Sequence, residues 1–154
     1  MTNAIVARFL AAQPPQLTRE AMAARRGVSL EWSGTEWGPI TAELGIPCPE
    51  ALVLLGRAMA DRVIYFAFEG HSYRMLTPEE AREELAFMAT FPDEPLLQVA
   101  RAMLPVFGED GDLLLLDRDG AIHAYQHDDW HELPRVADNL EDLLARTRAA
   151  SLNL

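Results

Sequence analysis

The sequence predicts an α+β fold, a single domain in which a mainly antiparallel sheet packs against helices. The chain has 154 residues and is 49% hydrophobic, which suits one domain with one core. Two pairs of apolar segments are each joined by a tight turn, so their strands need no crossover connection. Segments with helical periodicity stand before, between and after these pairs, as is typical of α+β proteins.

The N-terminal region predicts two short helices and a strand. Residues 4–12 have a helical pattern that Pro14-Pro15 ends, because proline cannot continue a helix and restricts the residue before it. Thr18 is a favoured N-cap for a second helix, which Gly27 would close. Residues 28–32 alternate between apolar and polar types, which predicts a strand.

A loop follows and divides the chain. Residues 33–39 hold two glycines and a proline, which favour a loop or boundary. We therefore interpret residues 1–38 as a helical extension of the domain formed by residues 39–154. The next helix is predicted from Pro49, a favoured first helical residue, to about Ala60. Its buried face is predicted to hold Leu52, Leu55 and Met59.

The first predicted hairpin leads directly into the clearest helix start. Residues 62–68 are rich in β-branched and aromatic types and predict a buried strand. Glu69-Gly70 predicts a turn, and residues 73–76 an antiparallel return. In residues 77–80, Thr-Pro-Glu-Glu, an N-cap Thr, a Pro at N1 and a Glu at N3 form a capping box. The residues predicted to be buried by this helix are Ala81, Leu85 and Met88.

The C-terminal third predicts a helix, a second hairpin and a last helix. Residues 96–104 are predicted to be helical up to the following proline. Residues 112–117 and 121–126 flank an Arg-Asp-Gly turn, whose glycine can take a positive φ. Residues 139–148 predict the last helix, with Leu140, Leu143 and Leu144 inward and Asp142 four residues before Arg146.

The charge of the chain excludes several classes of function. It has 24 acidic and 13 basic residues, a net charge of −11, and all the basic residues are arginine. Without lysine, Schiff-base chemistry and the P-loop lysine are excluded. The acidic balance argues against binding nucleic acid, which needs clustered basic residues, and favours a basic protein as partner.

The remaining composition indicates a cytoplasmic protein. Cys48 is the only cysteine, which excludes an intramolecular disulfide and suits a reducing compartment. No apolar run approaches the ~20 residues of a membrane helix, and we recognise no signal peptide at the N-terminus. We expect no membrane contact, and either a monomer or a homodimer.

Three histidines form the main candidate for chemistry. His123, His127 and His131 stand near Asp128 and Asp129, so a metal-binding protein or metal-dependent enzyme is the alternative function. On one strand, however, His123 and His127 lie ~13 Å apart at ~3.3 Å per residue, which is too far for one metal. The second interpretation, which we prefer, places them at polar positions beside the hairpin. We then expect no enzyme activity, no metal and no other cofactor.

The acidic turns are the main candidate for binding. Turn chemistry by itself accounts for Asp and Gly at these places, but an acidic rim would also attract a basic partner. Trp130 stands in a charged stretch, and tryptophan is enriched at interface hot spots. The predicted partner-binding residues are Asp110, Asp117, Asp119, Asp128, Asp129, Trp130 and Glu132.

The C-terminal half also carries a family pattern. Residues 104–117 run Leu-Pro-Val-Phe-Gly-Glu-Asp-Gly-Asp-Leu-Leu-Leu-Leu-Asp, the acidic residues 127–129 follow, and residues 136–144 run Val-Ala-Asp-Asn-Leu-Glu-Asp-Leu-Leu. This arrangement resembles the end of SUKH superfamily domains. Residues 43–47, Glu-Leu-Gly-Ile-Pro, are similar to a shortened form of a family motif, so the resemblance covers roughly residues 40–148.

The resemblance implies an α+β domain without catalytic residues. SUKH domains are most often bacterial immunity proteins, each of which neutralises a cognate toxin, frequently a nuclease. The acidic charge suits this role independently, because an acidic surface can cover a basic nuclease cleft and speed association. We therefore expect a non-enzymatic immunity protein of a toxin–antitoxin type of system, with a basic protein toxin as its partner.

Overall fold

A computed structural model describes residues 2–14, 18–26, 36–60, 62–129 and 131–149. Over these residues the chain has the predicted α+β architecture, with helices packed around one antiparallel sheet. Every pairing between the strands of this described sheet is antiparallel.

Seven helices and seven strands are formed by the described residues. The helices are α1 (Thr2–Ala11), α2 (Arg19–Arg26), α3 (Gly38–Leu44), α4 (Glu50–Ala58), α5 (Pro78–Ala89), α6 (Pro95–Ala100) and α7 (Leu140–Arg146). The strands are β1 (Tyr65–Phe68), β2 (His71–Met75), β3 (Leu104–Glu109), β4 (Asp112–Leu116), β5 (Ile122–Tyr125), β6 (Arg135–Ala137) and β7 (Arg148–Ala149). Across the sheet the order is β6-β5-β4-β3-β2-β1-β7.

The strongest local signals are confirmed. Thr77 accepts a hydrogen bond from the Glu80 N–H, and Glu80 accepts one from the Thr77 N–H, so the capping box of α5 is complete. The Thr18 hydroxyl accepts from the Ala21 N–H at the start of α2. Asn139 caps α7 by accepting from the Asp142 N–H. These helices therefore begin where their capping side chains predict.

The predicted burial is largely confirmed as well. Leu52, Leu55 and Met59 of the α4 region are buried, as are Ala81 and Met88 of α5 and all three leucines of α7, whereas Leu85 is only partly buried. Pro49 is the N-cap of α4 and not its first residue. The Asp142 to Arg146 ion pair is present at 3.1 Å.

The largest correction is β3. The sequence predicts a helix over residues 96–104, but α6 ends at Ala100 and Leu104 begins the middle strand of the sheet. Pro105 argues against a strand because it has no N–H to donate. Here it is tolerated because it lies at a register shift in β3, beyond the residues that pair with β2.

Three shorter elements, α3, β6 and β7, were also missed. The predicted loop 33–39 overlaps α3, where Gly38 and Pro39 form the first turn, a position that suits proline. The predicted last helix ends at Arg146, and Arg148 instead pairs with Ala67 of β1. The first strand is shorter than predicted, beginning at Tyr65. Gly27 and the strand predicted over residues 28–32 lie outside the described residues.

Helices cover both faces of the sheet. On one face the Phe66 ring contacts Phe9 of α1 at 5.9 Å and Phe107 of β3 at 4.9 Å, edge to face. Helices α4 and α7 pack beside α1 on this side. On the other face α5 lies against β3, where its residue Glu80 binds Arg74 of β2. Because both faces are covered, β4 is buried along almost its whole length. In the described part of the chain, no helix has the length and apolar character to cross a membrane.

Candidate functional site

Three chain reversals lie together at one end of the sheet. Phe68 pairs with His71 around the β1–β2 turn, and Glu109 pairs with Asp112 around the β3–β4 turn. Because Arg74 pairs with Gly108, these two turns lie side by side. Strand β5 finishes at the same end. We call this the acidic end, formed by Glu69, Asp110, Asp112, Asp128 and Asp129, with Glu83 and Glu84 of α5 alongside.

The β3–β4 turn is built to present an aspartate. Asp110 has φ +52° and Gly111 φ +91°, which is the two-residue turn that favours Asp-Gly and matches the twist of the strands. A Cβ atom at Gly111 would lie 3.1 Å from the Cβ of His127, which is closer than an ordinary contact, so glycine favours this close approach. The turn therefore leaves Asp110 exposed and brings residues 127–129 next to it.

Asp112 lies between two histidines. Its carboxylate accepts a hydrogen bond from the His127 N–H at 3.0 Å and lies 2.8 Å from His127 Nδ1. His71 Nδ1 approaches the second oxygen at 3.5 Å. The hydrogen bond to Asp112 raises the pKa of His127, burial opposes this, and the charges of Asp112, Asp128 and Asp110 raise it further. The protein thus generates a negative field at this end.

A cleft of about 120 Å³ separates the β3–β4 turn from α5. Of the described residues that line it, six are acidic and one is basic: Glu80, Glu83, Glu84, Glu109, Asp110 and Asp112, and Arg74. The Arg74 guanidinium binds both oxygens of Glu80, at 3.0 and 2.8 Å. Its charge is therefore largely compensated by one of the six carboxylates.

The pKa of Glu84 is raised in this cleft, in part by the excess of negative charge. Burial raises the pKa of this half-buried carboxyl, and the charges of Glu80 and Glu83 raise it further, while Arg74 lowers it. Glu83 is exposed beside it on the helix surface. The cleft is therefore a place where a cation from outside would relieve repulsion between carboxylates.

The β4–β5 turn, at the opposite end of the sheet, uses its carboxylate differently. Asp117 accepts hydrogen bonds from the N–H groups of Asp119 and Ala121, at 2.8 and 2.9 Å, and lies 2.7 Å from His123 Nε2. Burial raises the pKa of Asp117, but the hydrogen bonds from His123, Ala121 and Asp119 together lower it. This carboxylate therefore stabilises its own turn.

The predicted partner-binding residues fall into two groups. Asp110, Asp128 and Asp129 are exposed at the acidic end, whereas Asp117 and Asp119 lie at the β4–β5 turn, about 17 Å away along a five-residue strand. Glu132 is exposed in the connection to β6. Trp130 lies outside the described residues. The predicted partner-binding residues do not include Glu69, Asp112, Glu83 and Glu84, whose proximity depends on strand register and helix packing.

The three histidines have separate partners. His123 Nδ1 lies 3.1 Å from the Leu133 carbonyl oxygen and its Nε2 binds Asp117, whereas His127 binds Asp112. The His131 N–H donates to Asp129. In the described ranges, no three His, Cys, Asp or Glu side chains lie close enough together to hold a metal ion.

Comparisons with protein-family models and with curated proteins find no match to this chain. The resemblance to SUKH domains thus remains a prediction that depends on the residues quoted for it.

Proposed function

We propose that this chain is a non-enzymatic protein-binding domain of the immunity-protein type, which binds a basic protein toxin through its acidic end. The observation that carries the proposal is the convergence of carboxylates from the β3–β4 turn, from the residues after β5 and from α5 on one end of the sheet, with Arg74 already bound by Glu80. A basic surface placed there gains favourable charge contacts and faster association.

An aromatic side chain stands beside this surface. Phe87 is 56% exposed and lies one helical turn after Glu83 on α5, so the two share a face of the helix. Its ring contacts Phe91 edge to face at 5.3 Å, which holds it in place. Interfaces combine such an aromatic anchor with a polar rim. We therefore include Phe87 in the proposed binding surface.

The proposal predicts that a basic partner is captured from the native cell and that capture depends on where the charge lies. Glu83→Arg with Asp128→Arg should abolish capture at about 0.1 M salt. Asp93→Arg with Asp119→Arg should leave it intact, although all four residues are exposed and both pairs change the net charge from −11 to −7. Raising the salt to about 1 M should weaken capture, because the Debye length falls from about 10 Å to about 3 Å.

The captured protein then allows the immunity function to be tested. Mass spectrometry should identify a basic protein, and co-expression of the chain should restore growth to cells that produce it. An acidic partner, or equal loss of capture with both pairs of substitutions, would contradict the proposed surface. If co-expression did not restore growth, the chain would be a binding domain and the immunity function would be wrong.

The aromatic anchor has its own matched control. Phe87→Ser should weaken binding of the purified partner by at least about tenfold, because truncation of a hot-spot residue costs about 2 kcal/mol or more. Val99→Ser removes a side chain that is equally exposed, at 55%, on α6 and should change the affinity little. Isothermal titration calorimetry measures both. Equal effects of the two substitutions would exclude Phe87 from the surface.

A further inference from the structure

A cavity of about 230 Å³ lies between α1 and α7. Its described apolar walls include Ile5 and Phe9 of α1 and Leu144 of α7. Phe9 and Leu144 are themselves buried, so these walls belong to the core and are held in place. The cavity is smaller than the 300–1,000 Å³ typical of sites for drug-sized ligands, and so suits a smaller molecule.

Two arginines line the same cavity. Arg8 projects from α1, and Arg148 lies in β7, directly after the end of α7. No acidic residue is found among the described residues that line the cavity. A guanidinium group can bind a carboxylate or phosphate with two parallel hydrogen bonds, so two of them beside an apolar wall select an anion.

Some arginines of the described chain form ion pairs and others do not. Arg74, Arg82, Arg135 and Arg146 each bind a carboxylate. Within the described residues, neither Arg8 nor Arg148 has an acidic side chain at ion-pair distance. Two arginines beside one cavity whose described lining has no carboxylate favour an anionic ligand.

We propose that the α1–α7 cavity binds a small amphipathic anion, a carboxylate with a short apolar tail. The carboxylate would lie between the guanidinium groups of Arg8 and Arg148, and the tail would lie against Phe9 and Leu144. Burial of the tail is favourable by the hydrophobic effect, while the guanidinium groups determine the orientation. This site is independent of the proposed toxin binding.

The proposal can be tested on the chain of 154 residues. Three probes are compared at constant ionic strength: sodium hexanoate, hexan-1-ol and sodium acetate. Backbone amide chemical shifts of Ala12, Ala145 and Thr147, which line the cavity, should change saturably with hexanoate, with a dissociation constant on the order of 1 mM. Hexan-1-ol lacks the charge and acetate lacks the tail, so each should bind at least about tenfold more weakly.

Matched arginine variants then locate the carboxylate. Arg8→Gln and Arg148→Gln should each weaken hexanoate binding by at least about fivefold, because each removes a charge-assisted hydrogen-bond donor. Arg57→Gln removes an exposed arginine of α4 and should change nothing. Both cavity arginines are exposed, so the variants should keep the dispersed spectrum of the folded chain. Equal binding of hexanoate and hexan-1-ol, unsaturable shifts, or equal weakening by Arg57→Gln would overturn the proposal.

Discussion

The two ends of the β4–β5 hairpin use the same pair of residue types for different purposes. At the β4–β5 turn, Asp117 binds His123 and two backbone N–H groups, and the His123 side chain is only 17% exposed. At the acidic end, Asp112 binds His127, whose side chain is 54% exposed, among further carboxylates. Asp112 and Asp117 both bind groups of their own chain, so the charge left for a partner at the acidic end comes from the exposed Asp110, Asp128 and Asp129.

The largest difference between the ends should follow from removing the Asp117 carboxylate. Asp117→Ala deletes three hydrogen bonds to a charged group and should lower the free energy of unfolding by about 2 kcal/mol. Asp119→Ala in the same turn and Asp128→Ala at the acidic end remove exposed carboxylates, and should stay within about 0.5 kcal/mol. Urea denaturation at pH 7 measures all three. If Asp117→Ala were as neutral as Asp128→Ala, the contrast between the ends would be wrong.

A smaller effect should distinguish the glycines of the two turns. Gly111 and Gly120 have φ near +90°, and alanine at either position should cost about 1 kcal/mol from backbone strain. At Gly111 the new Cβ atom would also lie 3.1 Å from His127, whereas nothing lies within 4 Å at Gly120. Gly111→Ala should therefore lose more, about 2 kcal/mol in total.

Thermal or urea unfolding of the two alanine variants tests this order. Gly38→Ala is the control, since Gly38 has an ordinary φ and open space around its Cα atom, and it should not destabilise the chain. Equal losses at Gly111 and Gly120 would show that His127 does not pack closely against the turn.

The smallest effects should appear in the pH dependence, with opposite signs at the two ends. The pKa of His127 is raised by its hydrogen bond to Asp112. Its contribution to stability is therefore complete below the ordinary histidine pKa and is lost as the pH rises through the folded value. Burial opposes the lowering of the Asp117 pKa, but the hydrogen bonds of that carboxyl prevail. Its contribution is therefore present above the ordinary aspartate pKa and is lost as the pH falls through the folded value.

NMR titration separates these two contributions. The His127 ring should titrate above about 6.5, and Asp112→Asn should return its midpoint towards that value. Asp117→Asn should reduce the loss of stability at acidic pH and leave the His127 titration unchanged. If Asp112→Asn left the titration midpoint of His127 unchanged, the hydrogen bond between the two side chains would not form in solution.

Local sequence signals predicted much of the fold. Thr77 and Glu80 fix the start of α5 through hydrogen bonds within four residues, so this capping geometry needs no tertiary partner. The same is true of the Arg-Asp-Gly turn, where Asp117 closes the loop and Gly120 has φ +89°. Strand β3 was missed because Pro105 carries a local signal against strands, which the register shift in β3 overrides.

The candidate site was only partly predictable for the same physical reason. Asp110, Asp128 and Asp129 could be proposed because an acidic turn is visible in a few consecutive residues. Their association with Glu83 and Glu84 depends on α5 packing across β3, which connects residues about 25 positions apart. The separation of Asp117 and Asp119 from this group likewise depends on the length and direction of β4.

The sequence by itself determined the fold class, the capped helix starts, both predicted tight turns and the excess of negative charge. These follow from interactions between near neighbours and from composition, which hold in any tertiary arrangement. Only the tertiary structure decided which carboxylates are hydrogen-bonded within their own turns and which lie together at the acidic end. The physical reason is that strand register determines which residues are neighbours at each end of the sheet. The proposed binding surface is therefore a product of register, although every charge in it is visible in the sequence.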